Sequence, residues 1–95
     1  MSVTLELHRY RIILCIVDDD RYLNDLCLNV TGSGFKSLTG ELTLTLYHGQ
    51  YVEIEDGTTV TLYAQSLDSS LQDYVVMDIE EDASLQLSYV ALHYR

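Results

Sequence analysis

The feature of this sequence that most constrains its fold is the alternation of apolar and polar residues with a period of two. Leu42, Leu44 and Leu46 alternate with threonines, and similar alternation recurs over residues 59–63 and 75–79. Because successive side chains of a β-strand point to opposite faces, this pattern predicts strands with one buried face. The predicted strands, six or seven in all, cover residues 3–17, 42–46, 52–54, 59–63, 75–79 and 83–91.

Residues 21–30 fit two patterns. Leu23, Leu26 and Val30 have helical spacing, and Asp20 before them is a suitable helix N-cap. Every second residue from position 26 to position 30 is also apolar, which fits a strand. We favour the strand because the surrounding segments are predicted to be β.

Glycine and acidic residues mark the predicted turns. Gly57 follows two acidic residues and can adopt the positive φ that a hairpin turn requires. Residues 80–82 are all acidic and are expected to end the strand before them. Residues 65–73 form the longest predicted loop.

Length and composition set the size of the domain. The 95 residues, 47% of them hydrophobic, suffice for one domain over residues 1–95 with a single modest core. The expected fold class is all-β, with a short helix near residues 21–30 as the open alternative. A single antiparallel sheet, a small sandwich and a barrel all fit the pattern. There is no run of about 18 apolar residues, so we expect no membrane span.

Acidic residues dominate the second part of the chain. Asp and Glu number 15 against five Lys and Arg, a formal net charge of -10, and residues 37–94 contain ten acids and no Lys or Arg. Such a surface repels nucleic acid and anionic lipid, so direct binding to either is not expected. The charge favours a protein partner with a basic surface.

Carboxylates and tyrosines on the predicted strands and turns are the candidate contacts with such a partner. Tyrosine is a strand former and also a frequent interface residue, because its ring buries a large area at little entropic cost. Packing within the sheet and contact with a partner are both open for the tyrosines. The candidate partner-binding residues are Glu53, Glu55, Asp56, Asp73, Asp78, Glu80, Glu81, Asp82, Tyr47, Tyr51 and Tyr89.

No catalytic or metal-binding motif is recognisable in the sequence. His8, His48 and His93 are far apart, and neither acidic run has the spacing of a calcium loop. Ser33 lies between two glycines without the rest of a nucleophile motif, and no glycine-rich phosphate loop is present. We therefore expect no enzymatic activity, no cofactor and no metal site.

The sequence also bears on the cellular compartment. The N-terminus lacks a basic region followed by an apolar stretch, and the apolar residues 12–17 are followed directly by three aspartates. Cys15 and Cys27 have neither metal-ligand nor redox spacing and are flanked by apolar residues, which favours buried free thiols over a disulfide. We expect a cytoplasmic protein, in its own cell or in an infected host cell.

The succession of alternating strand residues and turn residues in the second part of the chain has a counterpart in a known family. The alternating residues 42–45 are followed by Gly49, by Val52, Ile54 and Asp56, and then by residues 59–62. Together with the later strands, this order resembles the carbon storage regulator family of small RNA-binding translation regulators. The resemblance covers residues 42–92 and implies an interleaved β dimer.

The residues through which that family binds RNA are missing here. The family uses arginines after its first strand and in its last strand, whereas the corresponding positions hold Leu46, Tyr47 and Tyr89. Acidic residues 80–82 replace the proline of its late turn, and residues 1–38 have no counterpart. The resemblance therefore implies the fold of the family without its RNA site.

The favoured hypothesis is a non-enzymatic acidic protein that inhibits a basic, nucleic-acid-binding partner. Carboxylates on a rigid sheet would stand in for phosphates, in the general manner of phage antagonists such as anti-CRISPR proteins and DNA mimics. A structural or oligomeric assembly module, such as a virion component, is the first alternative. A divergent regulator of the family above is the second, and a homodimer is left open.

Overall fold

The chain folds into β-strands, which confirms the all-β prediction. The computed structural model describes residues 2–7, 11–16, 25–36, 38–55 and 57–95, with side chains from residue 25 onward. The elements in these residues are β1 (Ser2–Leu7), β2 (Arg11–Ile16), β3 (Leu26–Gly32), β4 (Leu42–Leu46), β5 (Tyr51–Glu53), β6 (Thr58–Ser66), a 3₁₀ helix (Ser69–Tyr74), β7 (Val75–Asp82) and β8 (Leu87–Tyr94).

The strands form two four-stranded sheets. The first sheet has the order β1-β6-β3-β4, and all of its neighbouring strands are antiparallel. The second sheet has the order β5-β2-β8-β7 and contains one parallel pair, β2 with β8. Of the three expected architectures, the sandwich is the one observed, and the parallel pair departs from the expected antiparallel pairing.

One core fills the space between the two sheets. Val30 and Leu62 of the first sheet and Val90 and Leu92 of the second are completely buried in a single cluster of apolar side chains. Burying such a side chain stabilises the fold by about 1.5–3 kcal/mol. The alternation of β6 behaves as predicted, since its inward residues are buried while Tyr63 is exposed.

Phe35 fills the core from the connection between β3 and β4. Its backbone pairs with Ile54 in an isolated antiparallel bridge, and the Glu55 N–H donates to the carbonyl of Gly34 at 2.8 Å. A Cβ atom at Gly34 would lie 2.0 Å from Oγ1 of Thr58, so only glycine fits this close approach. The bridge holds Phe35 at 1% exposure between the sheets.

The region predicted as one strand over residues 3–17 contains two strands in different sheets. β1 pairs with β6, whereas β2 pairs with β5 and β8. Alternation over residues 3–7 and apolar character over residues 12–17 do not reveal where the chain leaves one sheet for the other. Strand β3 confirms the strand prediction from Leu26 onward, while Asp20 and residues 21–24 lie outside the described residues.

The turn predicted over residues 55–58 is present, but it does not join the strands of a hairpin. Gly57 has φ 78°, and the Thr58 N–H donates to the Glu55 carbonyl at 3.2 Å. The turn links β5 of the second sheet to β6 of the first. The local sequence specifies the turn, whereas the pairing of the flanking strands depends on distant residues.

The loop predicted over residues 65–73 is partly regular. Strand β6 continues to Ser66, and a 3₁₀ helix then occupies Ser69–Tyr74. The Gln72 side chain supports this segment, because its Oε1 accepts from the Ser66 N–H and its Nε2 donates to the Ala64 carbonyl. Polar composition indicated a loop, but it did not reveal these hydrogen bonds.

Two strand boundaries near the C-terminus also differ from expectation. The acids at 80–82 belong to β7 instead of ending it, and residues 83–86, predicted as strand, form a turn in which Gln86 has φ 52°. In β8 the completely buried residues are Val90 and Leu92, whereas Tyr89 and Ala91, predicted to face the core, are half-buried on the other face. Because β8 is a central strand with apolar residues on both faces, its sequence does not distinguish the two.

Ser88 offers a test of the core. Its hydroxyl is buried, with the residue 1% exposed, and has no hydrogen-bond partner among the residues that the structure describes. An unsatisfied buried hydroxyl is unfavourable, so Ser88→Ala should leave the free energy of unfolding unchanged or raise it by about 1 kcal/mol. In urea denaturation, the control Leu92→Ala should lower it by about 2–5 kcal/mol. A loss above about 1 kcal/mol for Ser88→Ala would show that the hydroxyl makes a favourable interaction.

Candidate functional site

The outer face of the second sheet brings several of the candidate partner-binding residues together. Tyr51 of β5 is paired with Ile13 of β2, Ile13 with Tyr89 of β8, and Tyr89 with Glu80 of β7. Residues aligned across neighbouring strands point to the same face of a sheet. The two tyrosines and Glu80 therefore lie in one row of aligned residues that runs across the four strands.

Neighbouring rows extend this face. Glu53 and Asp82 lie in the row that passes through Arg11 and Leu87, and Asp78 lies two residues before Glu80 on β7. We call this set the acidic face. It consists of Tyr51, Glu53, Asp78, Glu80, Asp82 and Tyr89.

Three carboxylates follow one another along the edge strand β7. Asp78, Glu80 and Asp82 occupy alternate positions, so they lie on one face with successive Cα atoms about 6.8 Å apart. Their cross-strand partners on β8 are Ala91, Tyr89 and Leu87, none of which is charged. The row therefore avoids a like charge directly opposite, and Glu80 is exposed, with no hydrogen bond or ion pair to its side chain among the described residues.

Asp78 is oriented by a histidine of the neighbouring strand. Its Oδ2 atom lies 2.7 Å from Nε2 of His93, while 66% of the Asp78 side chain remains exposed. Exposed pairs of this kind contribute about 0–1 kcal/mol to stability. The contact thus sets the direction of the carboxylate and leaves it accessible to a partner.

Asp82 has a structural role in the turn between β7 and β8. Its Oδ1 atom accepts hydrogen bonds from the Ser84 hydroxyl at 2.7 Å, the Leu85 N–H at 3.1 Å and the Ser84 N–H at 3.1 Å. These donors, with the Ser84 hydroxyl the largest cause, lower the pKa of Asp82 from its ordinary value of 3.8. The Asp82 carboxylate therefore stabilises the turn, and it is also the last of the three carboxylates along β7.

The remaining acidic candidates lie elsewhere. Glu81 is exposed on the other side of β7, in the row of buried Ser88. Glu55 is exposed and directly follows Ile54, outside the strands. Asp56 lies outside the described residues. Within the acidic face, Glu53 is at the β5 edge and forms an ion pair of 3.3 Å with Lys36.

Asp73 is separated from the acidic face by its position on the 3₁₀ helix. Its backbone carbonyl accepts a hydrogen bond of 2.6 Å from the Arg95 guanidinium, and both residues line an open cleft of about 420 Å³. Tyr63, Gln72, Val75 and Val76 complete the lining. This cleft could not be predicted from the sequence, because the cleft depends on packing between β6, the 3₁₀ helix and the C-terminus.

Tyr47 lies in the turn between β4 and β5. Tyr47 is 46% exposed. Its N–H donates a hydrogen bond of 2.9 Å to Oε1 of Gln50, and its carbonyl accepts a hydrogen bond from the Gln50 N–H. Tyr51 is 58% exposed after the same turn, whereas Tyr89 is half-buried. The turn therefore presents two accessible aromatic rings at the β5 edge.

The outer face of the first sheet has a different character. Thr31 and Thr43 hydroxyls lie 2.9 Å apart, Thr45 donates to Asn29 Oδ1 at 2.9 Å, and Asn29 Nδ2 donates to Gln65 Oε1 at 3.1 Å. Among the side chains described on this face, none is charged. The threonines that alternate with leucines over residues 42–46 are a sequence signal from which this neutral face could have been predicted.

Cys27 is a buried free thiol, in agreement with the prediction for that residue. It is 3% exposed, its Sγ atom lies 3.8 Å from Gln65 Oε1, and burial raises the pKa of the thiol. A raised pKa keeps the thiol protonated and unreactive. The side chain of Cys15 lies outside the described residues.

No protein-family model, curated protein or solved structure matches this chain. The resemblance to the carbon storage regulator family stays a prediction. Within the described part of the chain, no group of three or more His, Cys, Asp or Glu side chains is arranged to hold a metal ion. Nor does any helix there have the length and apolar character needed to cross a bilayer.

The role of Asp82 predicts a specific dependence on pH. Because its pKa is lowered by folding, its contribution to stability is present above the unfolded pKa, near 3.8, and is lost as pH falls through the folded pKa. Asp82→Ala should therefore destabilise the protein at neutral pH and by less below pH 3.8. Urea denaturation across this range measures the difference, with exposed Glu81→Ala as the control. A destabilisation independent of pH would contradict the assignment.

Proposed function

We propose that this chain is a non-enzymatic binding protein that inhibits a basic, nucleic-acid-binding partner by covering that partner's nucleic-acid surface with its acidic face. The observation that carries the proposal is the row of Asp78, Glu80 and Asp82 on one face of β7. From Glu80, the same face extends across the sheet through Tyr89 to Tyr51.

The spacing of the three carboxylates supports long-range attraction to a basic surface. At about 6.8 Å, each is closer to the next than the Debye length of about 8 Å at physiological ionic strength. The row therefore acts on an approaching partner as one extended negative charge. Such a field accelerates association with a positive cleft, and added salt weakens the acceleration.

The tyrosines add contacts that favour arginine over lysine in the partner. A guanidinium can stack on the ring of Tyr51 or Tyr89 while it forms two hydrogen bonds with a carboxylate such as Glu80. Aromatic rings beside carboxylates thus suit a surface that binds phosphates through arginines. The side chains described on the strands of the first sheet are uncharged, and this difference between the two sheets would orient the encounter.

The proposal is tested by affinity capture followed by displacement. The protein is used as bait in a nuclease-treated lysate of its source or host cell at low and high salt, and mass spectrometry identifies what is bound. We expect a basic nucleic-acid-binding protein that is released at high salt. The chain should then displace nucleic acid from that purified protein. Salt-insensitive capture, or capture without displacement, would contradict inhibition by the acidic face.

Glu80→Lys and Glu41→Lys form a matched pair for the same partner. Each changes the formal net charge from -10 to -8, but only Glu80 belongs to the acidic face. At low salt, Glu80→Lys should reduce the association rate roughly threefold or more, and Glu41→Lys should reduce it less. Surface plasmon resonance measures both rates. Equal effects would show that net charge, and not this face, guides association.

The second candidate function, a self-associating assembly module, is favoured by a different observation. Strand β4 is an edge strand of the first sheet and carries no charged residue. Charge on the acidic face would then serve solubility alone.

A further inference from the structure

The edges of the two sheets differ in how they are protected against pairing with another chain. β1 and β4 form the edges of the first sheet, and β5 and β7 form those of the second. An edge strand presents unpaired N–H and C=O groups, and proteins usually blunt such edges with charges, short strands, prolines or bulges. An edge without these features is suited to pair with a further strand.

Both edges of the second sheet are protected. β7 carries Asp78, Glu80, Glu81 and Asp82 within eight residues. β5 is only three residues long and ends at Glu53. A second copy of β7 placed antiparallel on the first, centred on Ile79, would bring Asp78 opposite Glu80, and like charges in that position are destabilising.

Strand β4 lacks such protection. Leu42–Leu46 contains no charge, no proline and no residue of positive φ, and within the described part of the chain it pairs only with β3. Thr43 and Thr45 are exposed on the neutral outer face, and Leu42 and Leu44 are half-buried at the rim of the core. This free edge is therefore regular, alternating and uncharged.

We propose that β4 is the interface of a homodimer, in which a second copy of β4 adds in antiparallel orientation with Leu44 opposite Leu44. This register places Thr43 opposite Thr45 and Leu42 opposite Leu46, so hydroxyl meets hydroxyl and leucine meets leucine. The contact is isologous and joins the first sheets of two copies into one sheet of eight strands.

The absence of charge on this edge favours a second copy as its occupant. A chain with net charge -10 repels its own copy, so two copies must meet where charge is absent. The nearest acid, Glu41, would face Tyr47 of the other copy in this register, about 20 Å along the strand from its counterpart. A basic partner has nothing to attract it here, since β4 itself bears no carboxylate.

Sedimentation analysis of the full chain tests the proposal. We expect the mass to rise from one chain towards two over concentrations from about 1 μM to about 1 mM, because a five-residue pairing makes a small interface. Thr43→Lys/Thr45→Lys places two pairs of lysines opposite each other and should weaken dimerisation about tenfold or more. This double variant has a smaller net negative charge than the parent chain, so general repulsion between copies does not account for weaker dimerisation.

A charge-swapped variant and a control complete the design. Thr43→Glu/Thr45→Glu alone should likewise dimerise about tenfold or more weakly than the parent chain, but mixed with the lysine variant it should form a heterodimer through lysine–glutamate pairs. Thr59→Lys is the control, because Thr59 is exposed on the same sheet but in the interior strand β6. It should dimerise like the parent chain. Circular dichroism establishes that each variant is folded.

Three outcomes would overturn the proposal. The first is a parent chain that stays monomeric up to about 1 mM. The second is a dimer that persists in both double variants, which would place the interface elsewhere. The third is a mixture of the two variants that fails to associate although each is folded and the parent chain dimerises.

Discussion

Packing of apolar side chains between the two sheets is the interaction on which the rest of the structure depends. Val30 and Leu62 of the first sheet meet Val90 and Leu92 of the second in one buried cluster. Since neighbouring side chains along a strand point to opposite faces, burying these residues determines which of the others face water. The acidic face and the neutral threonine face are both consequences of this inward packing.

The two outer faces suit different kinds of contact. On β7, inward Met77 and Val75 alternate with outward residues that include Asp78 and Glu80, so burying the apolar residues aligns the carboxylates in water. On β4 the same alternation aligns threonines and leaves the edge uncharged. A basic partner on one sheet and a second copy on the edge of the other would not compete for the same surface.

Prediction succeeded where the relevant interaction is local. The strand at residues 42–46 and the turn at Gly57 follow from residue type and alternation. It failed where the outcome depends on a neighbouring strand. Acids 80–82 looked like a strand end, yet pairing with β8 keeps them in β7, and the central position of β8 hid its buried face.

The candidate site shows the same division. Composition and alternation alone indicate an acidic β protein with exposed carboxylates and with tyrosines that either pack in the sheet or contact a partner. They do not indicate that Tyr51, Tyr89 and Glu80 share one row, which results from the pairing of β5, β2, β8 and β7. Nor do they separate Asp73 and Glu81 from that row. Alternation is a property of each strand, whereas the order and register of strands depend on contacts between residues far apart in the chain, so only the folded structure determines them.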